Sequence, residues 1–347
     1  MAWRYKFISR LPQGFDDDDL LFLKQLGVEE AYIALPLADH NLVALKEYKD
    51  RIESAGLKMH NIHSNLYTFN HDIMLATENR DRAIDGYIAF IELLSKAGLT
   101  HLDQTASPFF VYSSNTTGLT RYCTTRSTNL NAILNNAKPF GKSAWVNPDN
   151  LTRMKQIEDY LASGKHREFS REELWDNFAY FLERIIPVIE KNHVTVSLHP
   201  SDPPCAESIC GVPQLIRSTS DYKKVYTLTN SPYLKISFCC GCWLEGGKQF
   251  GSLLDDLEWG LKGDRISMVH LRNITGPLPE FTETFLDNGY FDMYEIFRIL
   301  RKYRYESYIN PDHHPMMVDG EKRRSPQAYA FGYMRALASC ADREFEA

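Results

Sequence analysis

The chain has 347 residues, 44% of them hydrophobic and 24% charged, with a formal net charge of −6. That balance suits a globular protein with a substantial core and leaves no basic footprint for nucleic acid. No apolar run approaches the roughly 18 residues of a membrane helix, and the N-terminal stretch lacks the apolar centre of a signal peptide, so a cytoplasmic protein is expected.

The first candidate strand, "RYKFI" at 4–8, is followed by "DDDDL" at 16–20, whose acids suit the positive end of a helix dipole. "EAYIA" (30–34) and "KMHNI" (58–62) read as the next two strands, separated by an amphipathic stretch at 41–56. A second amphipathic stretch at 79–98 leads to a fourth strand, "THLDQ" (100–104). The rhythm then breaks over about 105–168, and it resumes with a helix at 170–192 that starts on a Ser170/Glu173 capping box. Four more strands follow: "VTVSL" (194–198), "LKISF" (234–238), "ISMVH" (266–270) and "SYINP" (307–311), with helices at 293–303 and 326–340.

Eight short strands alternating with helices predict an α/β fold, a (β/α)8 TIM barrel. A doubly wound open sheet would want a glycine-rich turn after an early strand, and none is present. A barrel of this kind needs about 250 residues, so the surplus is assigned to an insertion after the fourth strand. The expected organisation is one barrel domain over 1–347, with 105–168 lying near the active-site face. The aromatic-rich "PFFVYSS" within it can act as a lid or pack between subunits of a homo-oligomer.

Barrel enzymes place their chemistry at the C-terminal ends of strands. Four consecutive strand ends carry metal-ligand residue types: His199, Cys239, His270 and Asp312. Two imidazoles, a thiolate and a carboxylate suit a borderline divalent ion such as Mn, Fe, Co or Zn. Each residue alone has an ordinary structural role available; the recurrence at four strand ends favours a metal site. The chain has seven cysteines, an odd count that points to free thiols or ligands. The C-x-x-C from Cys239 to Cys242 lacks the second pair that a zinc ribbon needs. His60 and His63 sit at the end of the third strand, where they face the same pocket or form a polar rim, and Trp3, Arg4 and Tyr5 are candidates for the pocket floor.

At these motifs the chain resembles the mannonate dehydratase family of xylose-isomerase-like barrels. The resemblance is carried by "SREELWDNFAYFLERIIPVIEKNHVTVSLHPSDPP", "GVPQLIRS", "ISFCCGCW", "ISMVHLRN", "FTETFLDNGYFDM" and "PDHH", in that order, from about 170 to 340. It implies a divalent metal, usually Mn2+, at His199, Cys239, His270 and Asp312. It also implies acid/base chemistry at His313, with Arg272 and Asn273 lining a sugar-acid pocket. The implied reaction removes water from D-mannonate to give 2-keto-3-deoxy-D-gluconate. Three departures stand out. Ser201 replaces an acid in "HPSDPP", and His314 and Pro315 replace Gly-Arg after His313, which makes His314 a further pocket candidate. The family's "GYGLY" tyrosine has no clear counterpart, Tyr329 being the nearest. These departures leave a metal-dependent isomerase, epimerase or other lyase on a related sugar as the alternative, or a non-catalytic relative that binds sugar or metal.

Overall fold

The computed structural model describes residues 5–35, 37–63, 67, 70–109, 114–135, 148–319 and 324–346. Trp3 and Arg4, and residues 110–113 of "PFFVYSS", lie outside them. Eight parallel strands form the central sheet: β1 (Lys6–Arg10), β2 (Glu30–Ile33), β3 (Lys58–Ile62), β4 (His101–Thr105), β7 (Thr195–His199), β8 (Leu234–Cys239), β9 (Ile266–Leu271) and β12 (Tyr308–Pro311). Their hydrogen-bonded order is β3-β2-β1-β12-β9-β8-β7-β4. The two end strands approach each other through side chains. Asn61 on β3 donates to Asp103 on β4 at 3.4 Å, and the rings of His60 and His101 lie 4.3 Å apart. This is the predicted barrel, and each strand falls within two residues of its expected place.

The helices wrap the strands for the reasons their sequences suggest. Ser170 and Glu173 form the reciprocal capping box that starts Arg171–Asn192. Leu174, Phe178, Phe181, Ile185 and Ile189 then return every three or four residues and are all buried. The helix ends at His193, whose left-handed φ of 53° turns the chain into β7. Asp16 and Asp19 likewise box the start of Asp17–Gln25.

A second sheet was not foreseen. Strands β5 (Asn115–Thr120), β6 (Cys123–Asn129), β10 (Asn273–Ile274) and β11 (Glu280–Thr284) pair antiparallel in the order β10-β11-β6-β5. It joins the segment after β4 to the segment after β9, so it stands at the C-terminal side of the barrel. Helices Leu130–Leu134 and Pro148–Ala162 also belong to the 105–168 stretch. The loop after β12 is tied to this sheet as well, through the Met316 N–H, which donates to the Thr124 carbonyl at 2.7 Å.

His60 does not face the strand-end chemistry. It lies inside the ladder against His101 and Tyr308, with Nδ1 3.4 Å from Glu30. Glu30, His101 and Tyr308 each open their strand, so this cluster fills the opposite, N-terminal end of the barrel. His63, one residue past β3, lies 3.8 Å from Asp103 instead.

Candidate metal centre and the histidine beside it

Register brings the four strand ends level. Cys239 pairs with His270 across β8 and β9, His270 with Asn310 across β9 and β12, and the Asp312 N–H reaches the Leu271 carbonyl. Donor atoms of His199, Cys239 and His270 all lie within 4.8 Å of one another. Asp312 joins them, with Oδ2 3.8 Å from the Cys239 Sγ and Oδ1 3.7 Å from the His270 Nδ1. All four expected ligands therefore meet at one place.

The chemistry of the donors fits a divalent cation. His199 donates from Nδ1 to the Pro200 carbonyl at 2.8 Å, which leaves its Nε2 lone pair for the site. His270 Nδ1 is buried and has no hydrogen-bond partner among the described residues, an arrangement that costs free energy unless something else fills the coordination. Burial opposes ionisation of Cys239, yet contact with Cys242, Arg272 and His199 outweighs it and draws the thiol's pKa well below its ordinary value. Burial also opposes charge on His199, and the neighbouring Cys239 and Asp312 overcome it, raising its pKa to about 9. Protons shared among buried acids and imidazoles are what a bound metal would displace.

Arg272 organises the acids behind this set. It is 1% exposed. Its guanidinium reaches Glu283 (2.8 Å), Asp202 (3.0 Å), Glu245 (3.0 Å), Asp312 (3.3 Å) and the sulfurs of Cys242 (3.3 Å) and Cys239 (3.5 Å). Asp202, Cys242 and Glu245 also converge closely enough to bind an ion, but the Arg272 Nη2 already supplies the cation there. Two buried guanidiniums, Arg272 and Arg126, face Asp202, Glu245, Glu283, Asp312 and Cys239; burial, with Asp202 and Cys239 beside it, pushes the Glu245 carboxyl well above its ordinary pKa in spite of Arg272.

Gly241 explains the shape of "CCGC". A Cβ there would fall 2.1 Å from the Arg272 Nε. Gly241→Ala should therefore expel the guanidinium and leave buried acids unpaired, at a cost of about 3 kcal/mol or more. A thermal melt would register this as a clear drop, and an unchanged melting temperature would contradict the packing.

His313 is placed by residues from two other segments and by its chain neighbour Asp312. Its Nδ1 lies 2.8 Å from Glu283 Oε1 and 3.0 Å from Arg126 Nη1, and its Nε2 lies 3.6 Å from Asp312 Oδ1. Glu283 is reached because β11 pairs with β6 in a register (Phe281 opposite Thr128, Thr282 opposite Ser127) that puts it beside Arg126, at 3.2 Å. Burial would raise the pKa of Glu283, but Arg126, His313 and Arg272 together hold it well below the carboxylate range.

The remaining expected site residues have other surroundings. Asn273 gives its carboxamide to the backbone: Nδ2 donates to the Leu286 and Phe291 carbonyls at 2.8 and 2.9 Å, and Oδ1 accepts from Ile274. It clamps the 285–291 loop, and Gly289 must lack a side chain because a Cβ would sit 2.0 Å from Asn273 Oδ1. Arg272 is likewise committed to protein acids. His314 is partly exposed beside His313. Tyr329, on the helix Arg324–Glu346, is 41% exposed; its hydroxyl donates to Asp287 at 2.6 Å and accepts from Arg121 at 3.1 Å. Neither partner is one of the four donors or His313. Tyr329→Phe is accordingly expected to keep turnover within about threefold of wild type, since the exposed contacts it loses are worth little; a loss beyond 100-fold would return it to the chemistry.

Arg126, Asp202 and Glu283 were not singled out from sequence. Asp202 and Glu283 lie within the quoted "HPSDPP" and "FTETF" motifs, so a signal existed. Arg126, in "CTTRSTN", offered only strand alternation.

Fold and site together define a TIM-barrel protein with a group of side chains that could hold a metal ion and a histidine beside it. The D-mannonate dehydratase (UxuA) family model matches residues 18–342, and the chain belongs to that family. A mannonate dehydratase of Thermotoga petrophila is 29% identical over 318 residues, covering 86% of this chain and 84% of that protein. The crystal structure of mannonate dehydratase from Streptococcus suis serotype 2 superposes with a TM-score of 0.80 at 25% identity, covering 98% of this chain and 96% of the other. An L-ribulose 3-epimerase structure matches at a TM-score of 0.60 and 11% identity over 99% of this chain and 97% of that one, a likeness of fold alone.

Proposed function

We propose that the protein is a hydro-lyase that converts D-mannonate to 2-keto-3-deoxy-D-gluconate and water, with Mn2+ held by His199, Cys239, His270 and Asp312. The observation that carries this reading is the meeting of those four donors with His313 beside Asp312, in a chain of the D-mannonate dehydratase family. The alternative, an isomerase, epimerase or other lyase on a related sugar, draws on the three sequence departures and on a fold likeness that does not carry function, and the family match does not favour it.

The hydrogen next to a carboxylate is weakly acidic, so removing it needs charge stabilisation and a placed base. The metal, when bound, supplies the charge stabilisation for the sugar acid's oxygens. His313 Nε2 takes the C2 proton. The C2–H electron pair forms a C2–C3 double bond, the C3–O bond breaks, and the departing hydroxyl leaves as water with a proton returned from the imidazolium. The resulting enol then becomes the 2-keto product. One histidine serving in turn as base and acid matches a site in which the Tyr329 hydroxyl has Asp287 and Arg121 as its partners.

The test is keto-acid release from D-mannonate by purified protein supplied with Mn2+. Turnover supports the reading. Failure to release keto acid from any member of a hexonate and pentonate panel would overturn it.

A further inference from the structure

Among the described residues, Glu283 is the one carboxylate aimed at the far nitrogen of the proposed base, and the contacts around that nitrogen decide its protonation pattern. Two neighbours compete for His313 Nδ1: the carboxylate of Glu283 at 2.8 Å and the guanidinium of Arg126 at 3.0 Å. If Arg126 donated to an unprotonated Nδ1, the Nδ1 lone pair would face the Glu283 oxygen at 2.8 Å, acceptor against acceptor. If Nδ1 carries the hydrogen, every contact is satisfied. Nδ1–H donates to Glu283 Oε1, Arg126 turns its hydrogen to the same oxygen at 3.2 Å, and Arg272 Nη1 completes the set at 2.8 Å. An oxygen that accepts three charge-assisted or polar donors is a strong and well-oriented acceptor.

We infer that Glu283 is a positioning residue that fixes His313 as the Nδ1–H tautomer, so that its Nε2 lone pair is presented on the Asp312 side of the site. The inference deepens the proposed function and rests on His313 being the base. It gives the second sheet a purpose. Glu283 comes from β11 and Arg126 from β6, and the Met316–Thr124 backbone bond fastens the loop that carries His313 to the same sheet. The antiparallel sheet is thus a bracket for one imidazole. Glu283 is 3% exposed and Arg126 7%, so water does not compete for these bonds. When His313 takes a proton on Nε2, the cation that forms already faces an anion across its other nitrogen, as an orienting carboxylate requires.

The experiment reads the tautomer directly. Protein labelled with 15N-histidine, metal-free and again with diamagnetic Mg2+, is examined by long-range 1H–15N correlation. The His313 signals are assigned by their loss in His313→Gln. Wild type should show a protonated Nδ1 and an unprotonated Nε2. Glu283→Gln should shift His313 toward the Nε2–H form, because the amide no longer holds the Nδ1 hydrogen against donation from Arg126. In Mn2+-loaded enzyme the same variant should lower kcat for D-mannonate by about 100-fold while KM stays within about threefold and the metal content is unchanged. An Nε2-protonated His313 in wild type, neutral or charged, overturns the inference, and so does a Glu283→Gln enzyme with wild-type kcat. The wild-type spectrum decides the matter even where Glu283→Gln fails to fold. Absence of turnover on D-mannonate in wild type would instead count against the proposed reaction, leaving the tautomer measurement to stand by itself.

Discussion

His313→Gln should reduce keto-acid release from D-mannonate by about 10²–10⁴-fold, the range that a placed general acid/base contributes. Glutamine fills similar space and keeps a polar end near Glu283 and Arg126, so the fold and the four donors should persist. The loss should therefore fall on kcat, with metal content unchanged and KM moved little, because an interaction made only in the transition state has been removed. Steady-state kinetics beside elemental analysis would separate these terms. A variant that loses its metal, or one that keeps more than a tenth of wild-type kcat, would show that His313 acts through Asp312 or not at all.

Cys239→Ser should be the most damaging substitution among the donors. Cys239 is wholly buried, and its sulfur lies within reach of Asp312 and the Arg272 guanidinium. A serine hydroxyl stays protonated where the thiol ionises, so the site loses an anionic ligand and gains a poor one. Metal affinity should fall by at least about 100-fold, beyond the 10–100-fold typical of losing an outer-shell partner, and activity should fall with it. Ligands that bind the folded state raise its melting temperature. Added Mn2+ should therefore raise the melting temperature of wild type and move that of Cys239→Ser much less at the same concentration. Equal shifts in the two proteins would place the metal elsewhere. Chelation of wild type should abolish turnover, and Mn2+ should restore it.

The barrel was legible because its signals are local. Each strand is a short run of its own and each helix repeats its apolar residues every three or four positions, so all eight strands and the helices near 41–56, 79–98, 170–192, 293–303 and 326–340 follow from neighbouring residues, whereas Thr219–Leu228 and Leu253–Lys262 were not singled out. The candidate donor set was legible for a related reason. In a parallel barrel every strand ends at the same face, so His199, Cys239, His270 and Asp312 could be grouped without knowing any contact between them. The role of His313 entered as what the family resemblance implies, with Asp312 next to it in the chain.

What escaped was everything set by pairing between distant segments. Arg126 and His313 are 187 residues apart in the chain, and nothing near either one announces the other. Arg272 and Asn273 were expected to line a pocket because their motif does so in the family. Packing turned Arg272 inward to a cluster of acids and closed Asn273 onto the 285–291 loop. His60 and His63 looked alike in sequence, yet His60 faces into the opposite end of the barrel, while His63 lies past the end of β3. The sequence by itself determined the barrel, the family resemblance and the four candidate donors, since these depend on periodicity, on ordered motifs and on which residue ends a strand. The tertiary structure alone decided which acid holds which base, because the register of β6 against β11 and the loop tied to them exist only once the chain has folded.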